Sequence, residues 1–242
     1  MFDEIVPGIF RKPFSKEVYR YFRPDIEYEL CAKFMEKAPS AVPNLPNPKS
    51  YIEWLFLMQH HGVPTRLLDW SENIFIATFF AVNSDFDSDG EILTMLPWKL
   101  NERYGFYGLP NIYENKNFHF LVSEIFHTDP QKLANELEIK SLPKTPMAFL
   151  PPLLHSRMTA QQSCFTIHPV PQNNNRIFDI LTEEKFFMRY IISKALKKKF
   201  RENLRNLGFH QFSLFPDLDG LSKYLKEEIY TIAWSQPDAI FF

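Results

Sequence analysis

An α+β fold is the class this 242-residue sequence predicts, and three observations predict it. Apolar residues recur at helix-like spacing over Lys16 to Lys37 and again over Glu183 to Gly208. Ala160 to His168 alternates as a strand does, and Glu91 to Trp98 is apolar and rich in β-compatible residues. The two kinds of element do not take turns along the chain, which argues against a parallel α/β sheet. The length suits a single domain, residues 1–242, with a mixed or antiparallel sheet flanked by helices and a predominantly helical portion from about 183.

Taken in order, Lys16 to Lys37 places Tyr19, Phe22, Ile26, Leu30 and Phe34 at helical spacing, and Pro24 forces a break or a new helix start near Arg23. Ala38 to Ser50 holds four prolines and reads as a loop. Tyr51 to His60 is apolar nearly throughout, as a buried helix would be, and Gly62 and Pro64 stop it. Asp69 or Ser71 can cap a following helix from about Glu72 to Val82. Asn83 to Gly90 is a polar turn, and Leu100 to Pro152 reads as short strands and loops. Gly208 suits the C′ position of the helix before it. Leu214 to Glu228 holds a turn and a further helix.

Composition narrows the function classes. Hydrophobic residues make up 45% of the chain and phenylalanine alone 25 residues, enough for a substantial core. No stretch has the uninterrupted apolar length of a membrane span. Asp3 and Glu4 stand where a signal peptide would be basic. Cys31 and Cys164 are the only cysteines, so no disulfide framework is implied. A cytoplasmic protein without a membrane partner is the expectation. A net charge of −2 gives no global attraction to nucleic acid. Lys194, Lys197, Lys198, Lys199, Arg201 and Arg205 form the one basic stretch that could contact a phosphate backbone; a solvated helix face is the plainer reading.

Chemistry concentrates in Gln59-His60-His61-Gly62-Val63-Pro64-Thr65-Arg66-Leu67-Leu68-Asp69-Trp70-Ser71. Two imidazoles, a guanidinium, a carboxylate and hydroxyls crowd a Gly/Pro turn, and each polar group buried there must find a partner. Arg66 offers permanently charged planar donors for a phosphate or carboxylate, with Thr65 and His61 adding hydrogen bonds and the N-terminus of the helix that opens near Asp69, a further candidate ligand-binding residue, favouring an anion. The plainer alternative pairs Arg66 with Asp69 and leaves Thr65 and Asp69 to cap amides. Neighbouring positions on a regular helix diverge, so one of His60 and His61 is expected in the core and the other is a candidate for acid–base work. Trp70 fits the core.

Further along, Arg157 and Gln161-Gln162 are candidates for the same cleft, with Gln162 on a strand and its amide able to hold a ribose hydroxyl or a base edge. A buried structural glutamine is the alternative. Cys164 reads as a small inert hydrophobe. Asp85-Phe86-Asp87-Ser88-Asp89-Gly90 mimics the start of a calcium loop, but position twelve falls at Leu96 instead of a glutamate. No Cys/His spacing suggests zinc and no Gly-rich loop suggests a P-loop or a Rossmann site, so no metal is expected.

These segments resemble a family. Gln-His-His-Gly-Val-Pro-Thr-Arg-Leu-Leu-Asp-Trp is similar to the signature of bacterial and phage FRG domains. The resemblance extends to Ile5–Arg11, to Asn73–Ala81, to Arg157 with Gln161–Thr166, and to Leu214-Phe215-Pro216-Asp217-Leu218-Asp219-Gly220-Leu221. The name-giving Phe-Arg-Gly strand would precede Ile5, and Ser163 stands where the family usually has glycine. The order of motifs is distantly similar to ADP-ribosyltransferase-like folds. That similarity implies a nucleotide-handling enzyme in a defence or mobile-element setting, with NAD as a substrate that is cleaved or donates ADP-ribose. In that picture Arg66 holds phosphate, His60 or His61 touches ribose or phosphate, and Gln162 stands where a catalytic glutamate usually sits. Two rival readings remain open: a non-catalytic module for a phosphorylated ligand or nucleic acid, and a metal-dependent hydrolase using the histidines and Asp69.

Overall fold

The computed structural model describes residues 7–11, 24–170 and 187–235. Among them are ten α-helices: α1 Pro24–Lys37, α2 Tyr51–His60, α3 Ile74–Asn83, α4 Pro97–Asn101, α5 Lys116–Ser123, α6 Pro130–Glu136, α7 Ser156–Ala160, α8 Lys194–Asn206, α9 Gln211–Leu214 and α10 Leu218–Ser235. Five strands are present: β1 Leu67–Ser71, β2 Gly90–Met95, β3 Met147–Phe149, β4 Ser163–Ile167 and β5 Phe187–Ile192. They form a three-stranded sheet in the order β1-β4-β3 and a two-stranded sheet β2-β5. In the first, β3 and β4 are antiparallel, with Met147 opposite Ile167 and Phe149 opposite Phe165. The fold class is α+β. The chain divides into two compact units, one of residues 1–69, 95–151 and 164–187, the other of residues 70–94, 152–163 and 188–242.

Several elements differ from the sequence reading. Residues 67–71 form a strand, and the following helix starts at Ile74, because Asn73 and not Asp69 or Ser71 caps it: its side chain accepts the Phe75 N–H at 2.9 Å. The Leu100–Pro152 stretch is mainly short helices. Asn115 accepts the Phe118 N–H and Asp129 accepts those of Gln131 and Lys132, so two N-caps start α5 and α6 where strands had been expected. Ala160 ends a helix, and the strand begins only at Ser163. In the segment expected as one helix from Glu183, residues 187–192 instead pair with β2, as their Ile- and Tyr-rich sequence favours, and the helix opens at Lys194. Gly208 does take the left-handed conformation after α8, at φ 86°. Residues 183–186, the start of the first predicted helix before Pro24, and the tail beyond 235 lie outside the described residues.

The first unit packs around aromatic rings. Phe149 lies 4.7 Å from Phe118 and 6.2 Å from Phe56, and Phe56 lies 5.1 Å from Phe165. Asn101, fully buried, gives β3 a side-chain partner: it accepts the Ala148 N–H and donates to the Ala148 carbonyl, both at 2.9 Å. In the second unit Ile76, Phe79, Ala81 and Val82 of α3 pack with Ile92, Ile192, Leu204 and Leu214. Gly220 of α10 is required there, since a Cβ would meet the Phe215 carbonyl oxygen at 1.9 Å. Asp217 caps the same helix, accepting the Gly220 N–H at 2.7 Å.

Candidate functional site

The signature begins at the end of α2. His61 leaves the helix (φ −93°, ψ 15°), so the divergence expected for neighbours on a regular helix does not hold. The two imidazoles meet edge to face, 4.8 Å between centroids. Gly62 then turns the chain at φ 77°, a conformation that costs glycine little. The exit brings Thr65 and Arg66 inward and leaves Asp69 exposed.

Arg66 is fully buried. Its Nε–H donates to Glu27, and one Nη1–H donates to Glu124. The other Nη1–H reaches the His168 carbonyl at 2.9 Å, and Nη2 reaches the Leu121 carbonyl at 2.8 Å. Glu27 also accepts the Arg66 backbone N–H at 2.8 Å. Four of the five guanidinium donors thus end on protein groups, so Arg66 is a scaffold ion here. Its partners are two glutamates from α1 and the turn after α5, not Asp69. Burial pulls the Arg66 pKa down, but Glu27 and Glu124 more than offset this and leave it above its ordinary value. Burial, the larger effect, and the charge of Glu27 push Glu124 up in spite of Arg66. His168 completes the cluster: it is fully buried, its Nε2 lies 3.1 Å from Thr166 Oγ1, and its Nδ1 has no hydrogen-bond partner among the described residues. Burial first, then Arg66, lowers its pKa to about 3.

Sequence reasoning passed over Glu27, Glu124 and His168. A signal existed for the first two. Glu27 falls on the stripe of α1 that buries Cys31, and Glu124 interrupts the apolar run Phe120-Leu121-Val122-Ser123-Glu124-Ile125-Phe126. A lone carboxylate on an apolar face needs a buried cation.

Above this core lies a polar face. Thr65 Oγ1 donates to Gln59 Oε1 at 2.6 Å, and Gln59 Nε2 donates to Asp69 Oδ2 at 2.6 Å. The first bond fixes which way the Gln59 amide faces, and the second fixes the Asp69 carboxylate. His61 and Asp69 are exposed and His60 is half-buried. The face can present a carboxylate acceptor to hydroxyl donors, with imidazoles whose ring nitrogens can accept or donate.

The second set of candidates behaves differently. Gln162 is exposed and sits in the turn before β4 at φ 45°, not on the strand as expected. Its carbonyl accepts the Glu72 N–H at 3.1 Å. Gln161 is the structural glutamine of the pair: its carbonyl accepts Ser71 Oγ–H at 2.8 Å and its amide donates to the Leu214 carbonyl at 3.0 Å. Arg157, half-buried on α7, places its guanidinium 4.5 Å over the Phe215 ring and donates to no described residue.

The basic stretch is partly turned inward. Lys197 is buried, its ammonium donating to the Ser84 and Asp85 carbonyls at 3.2 and 2.7 Å. Arg201 covers the Phe86 ring at 4.3 Å, and Arg205 pairs with Glu228 at 3.9 Å. Lys194 and Lys198 remain exposed. The acidic turn that mimics a calcium loop thus already carries a cation, the Lys197 ammonium, on its carbonyls. No group of three His, Cys, Asp or Glu side chains placed to hold a metal occurs among the described residues. Cys31 and Cys164 form no disulfide among the described residues, and burial pushes the Cys31 thiol up to about 12, with Glu27 adding to the shift. Among the described residues no helix is long and apolar enough to cross a membrane.

Fold and site together define an α+β protein whose signature builds a buried arginine–glutamate cluster beneath an exposed carboxylate and imidazole face. Residues 3–90 match the FRG domain model, so the chain carries an FRG domain. No curated protein and no solved structure matches it.

Proposed function

We propose that this FRG-domain protein handles a nucleotide, recognising ribose hydroxyls through Asp69 with His60 and His61 beside it. The observation that supports this is the Thr65–Gln59–Asp69 relay. It holds one solvent-facing carboxylate in a fixed orientation, and a carboxylate is the group that pairs with ribose hydroxyls in dinucleotide sites. The imidazoles supply a donor for phosphate or a proton shuttle for bond cleavage. NAD is the substrate to try first, cleaved at its bond to nicotinamide. A non-catalytic binding module is the second reading, favoured by Gln162: an exposed amide in that turn brings no negative charge to an oxocarbenium-like centre.

A panel of NAD, ADP-ribose and ADP, read by thermal shift and by nicotinamide release, tests the proposal. Binding that is lost in Asp69→Asn and His61→Ala, with both variants melting like the parent, supports it. Nicotinamide release makes the protein an enzyme, and binding without release makes it a module. A chain that responds to none of the three sinks the nucleotide reading.

A further inference from the structure

The backbone at Phe215 is fixed from several sides. Phe215 follows α9 in a non-helical conformation (φ −127°, ψ 79°), and its N–H donates to the Gln211 carbonyl at 2.9 Å. The carbonyl one residue earlier is bonded by Gln161 at 3.0 Å, and Gly220 leaves room for the Phe215 carbonyl itself. The ring packs against the core cluster of Ile76 and Leu214 and meets two further groups. Arg157 stacks over it at 4.5 Å, and Phe80 of α3 stands edge to face with it at 6.0 Å and 79°. Phe80 is 42% exposed although it belongs to the most apolar helix of the unit.

A guanidinium stacked on a ring has its plane fixed and one face shielded from water, while its N–H donors point outward along the edge. An anion approaching in that plane is met by two parallel charge-assisted hydrogen bonds. Among the described residues this edge has no carboxylate partner, unlike that of Arg66. An exposed phenyl face takes any heteroaromatic base by stacking. The two ring distances keep the cation and the Phe80 face within the length of one nucleotide.

We infer that Arg157, seated on Phe215, and Phe80 form a receptor for a nucleoside phosphate, Arg157 taking the phosphate and Phe80 the base. The inference rests on the nucleotide reading for its ligand class and needs none of Asp69, His60 or His61. Gln161 and Gly220 are positioning residues that act through Phe215. The arrangement also gives the Leu214–Leu221 motif a purpose beyond capping α10: it places the ring on which the arginine lies.

The test is calorimetric titration of ADP, adenosine and pyrophosphate into the full chain and its variants. Arg157→Ala should weaken ADP and pyrophosphate at least tenfold and leave adenosine within twofold. Arg157→Lys should recover only part of the loss, because an ammonium lacks the planar fork. Phe80→Ala should weaken ADP and adenosine but not pyrophosphate. Melting temperatures within a few degrees of the parent show that the variants are folded. ADP bound equally by the parent and by Arg157→Ala overturns the receptor. Loss in Asp69→Asn alone overturns it too, while leaving the nucleotide reading standing. A parent chain that binds none of the three probes overturns both.

Discussion

Arg66 and Arg157 are the same residue type, each in a segment of similar polar character, and the fold uses them in opposite ways. Arg66 is enclosed by Glu27, Glu124 and two carbonyls and never meets water. Arg157 lies half-buried on a phenyl ring, and no carboxylate among the described residues pairs with it. A guanidinium taken from water needs partners supplied by the chain, and the carboxylates and carbonyls supplied to Arg66 commit four of its five donors inside the core. One left without such partners can still offer its charge. The difference shows that a motif arginine is a candidate ligand group only once its partners are counted.

The largest effect that would break this contrast is at Arg66. Arg66→Met strands two buried carboxylates, and removal of one partner from a buried pair costs about 3–5 kcal/mol. The variant is expected to be unfolded or to melt far below the parent in a thermal scan. A stable, parent-like Arg66→Met would show that the cluster is not a scaffold.

Acid sharpens the contrast next. His168 has its pKa lowered by burial from 6.5 to about 3, so it stays neutral in the fold while the unfolded chain takes up a proton. Stability should therefore fall as pH drops below about 6.5, and keep falling until about 3. Glu124 acts with the opposite sign. Its raised pKa gives stability at low pH that is lost as pH rises through the folded value. Urea midpoints measured against pH should show the loss on acidification, and His168→Leu should flatten the slope whatever it does to the midpoint itself. An unchanged slope would mean that another group governs acid unfolding.

Gly220→Ala comes third. Its Cβ would press on the Phe215 carbonyl, and overpacking of this kind costs about 1–3 kcal/mol. In addition, it should weaken ADP binding by moving the ring under Arg157, a readout that a merely local strain would leave alone. Smallest is Arg157→Ala, whose lost stacking is worth about 1 kcal/mol. A larger loss of stability would reclassify Arg157 as a second scaffold ion.

The α+β class, the helix Tyr51–His60 with its Gly62 turn, and the Gly208 cap were all legible, because each rests on local chemistry. The capping of the helix after the signature was not, since Asp69, Ser71 and Asn73 are all competent caps and tertiary partners decide among them. Ser71 is bonded to Gln161, ninety positions away, and Asp69 to Gln59. Strand β5 was hidden for a similar reason: its pairing with β2 joins residues about a hundred positions apart. The signature residues were legible as important, but whether each points inward or outward was not. Arg66 is committed by Glu27 and Glu124, which lie 39 and 58 positions away in the chain.

The Arg66 cluster also sets where the chain can be cut. A fragment ending near Gly90 would keep Arg66 and Glu27 but lose Glu124, the Leu121 carbonyl and the His168 carbonyl, three of the guanidinium's acceptors. Such a fragment would carry the complete signature as sequence and yet expose its arginine to water. Expressed alone, it should be degraded or aggregate, and a graft of residues 59–71 onto another scaffold should fail in the same way. A fragment that keeps all of these acceptors must reach at least to His168.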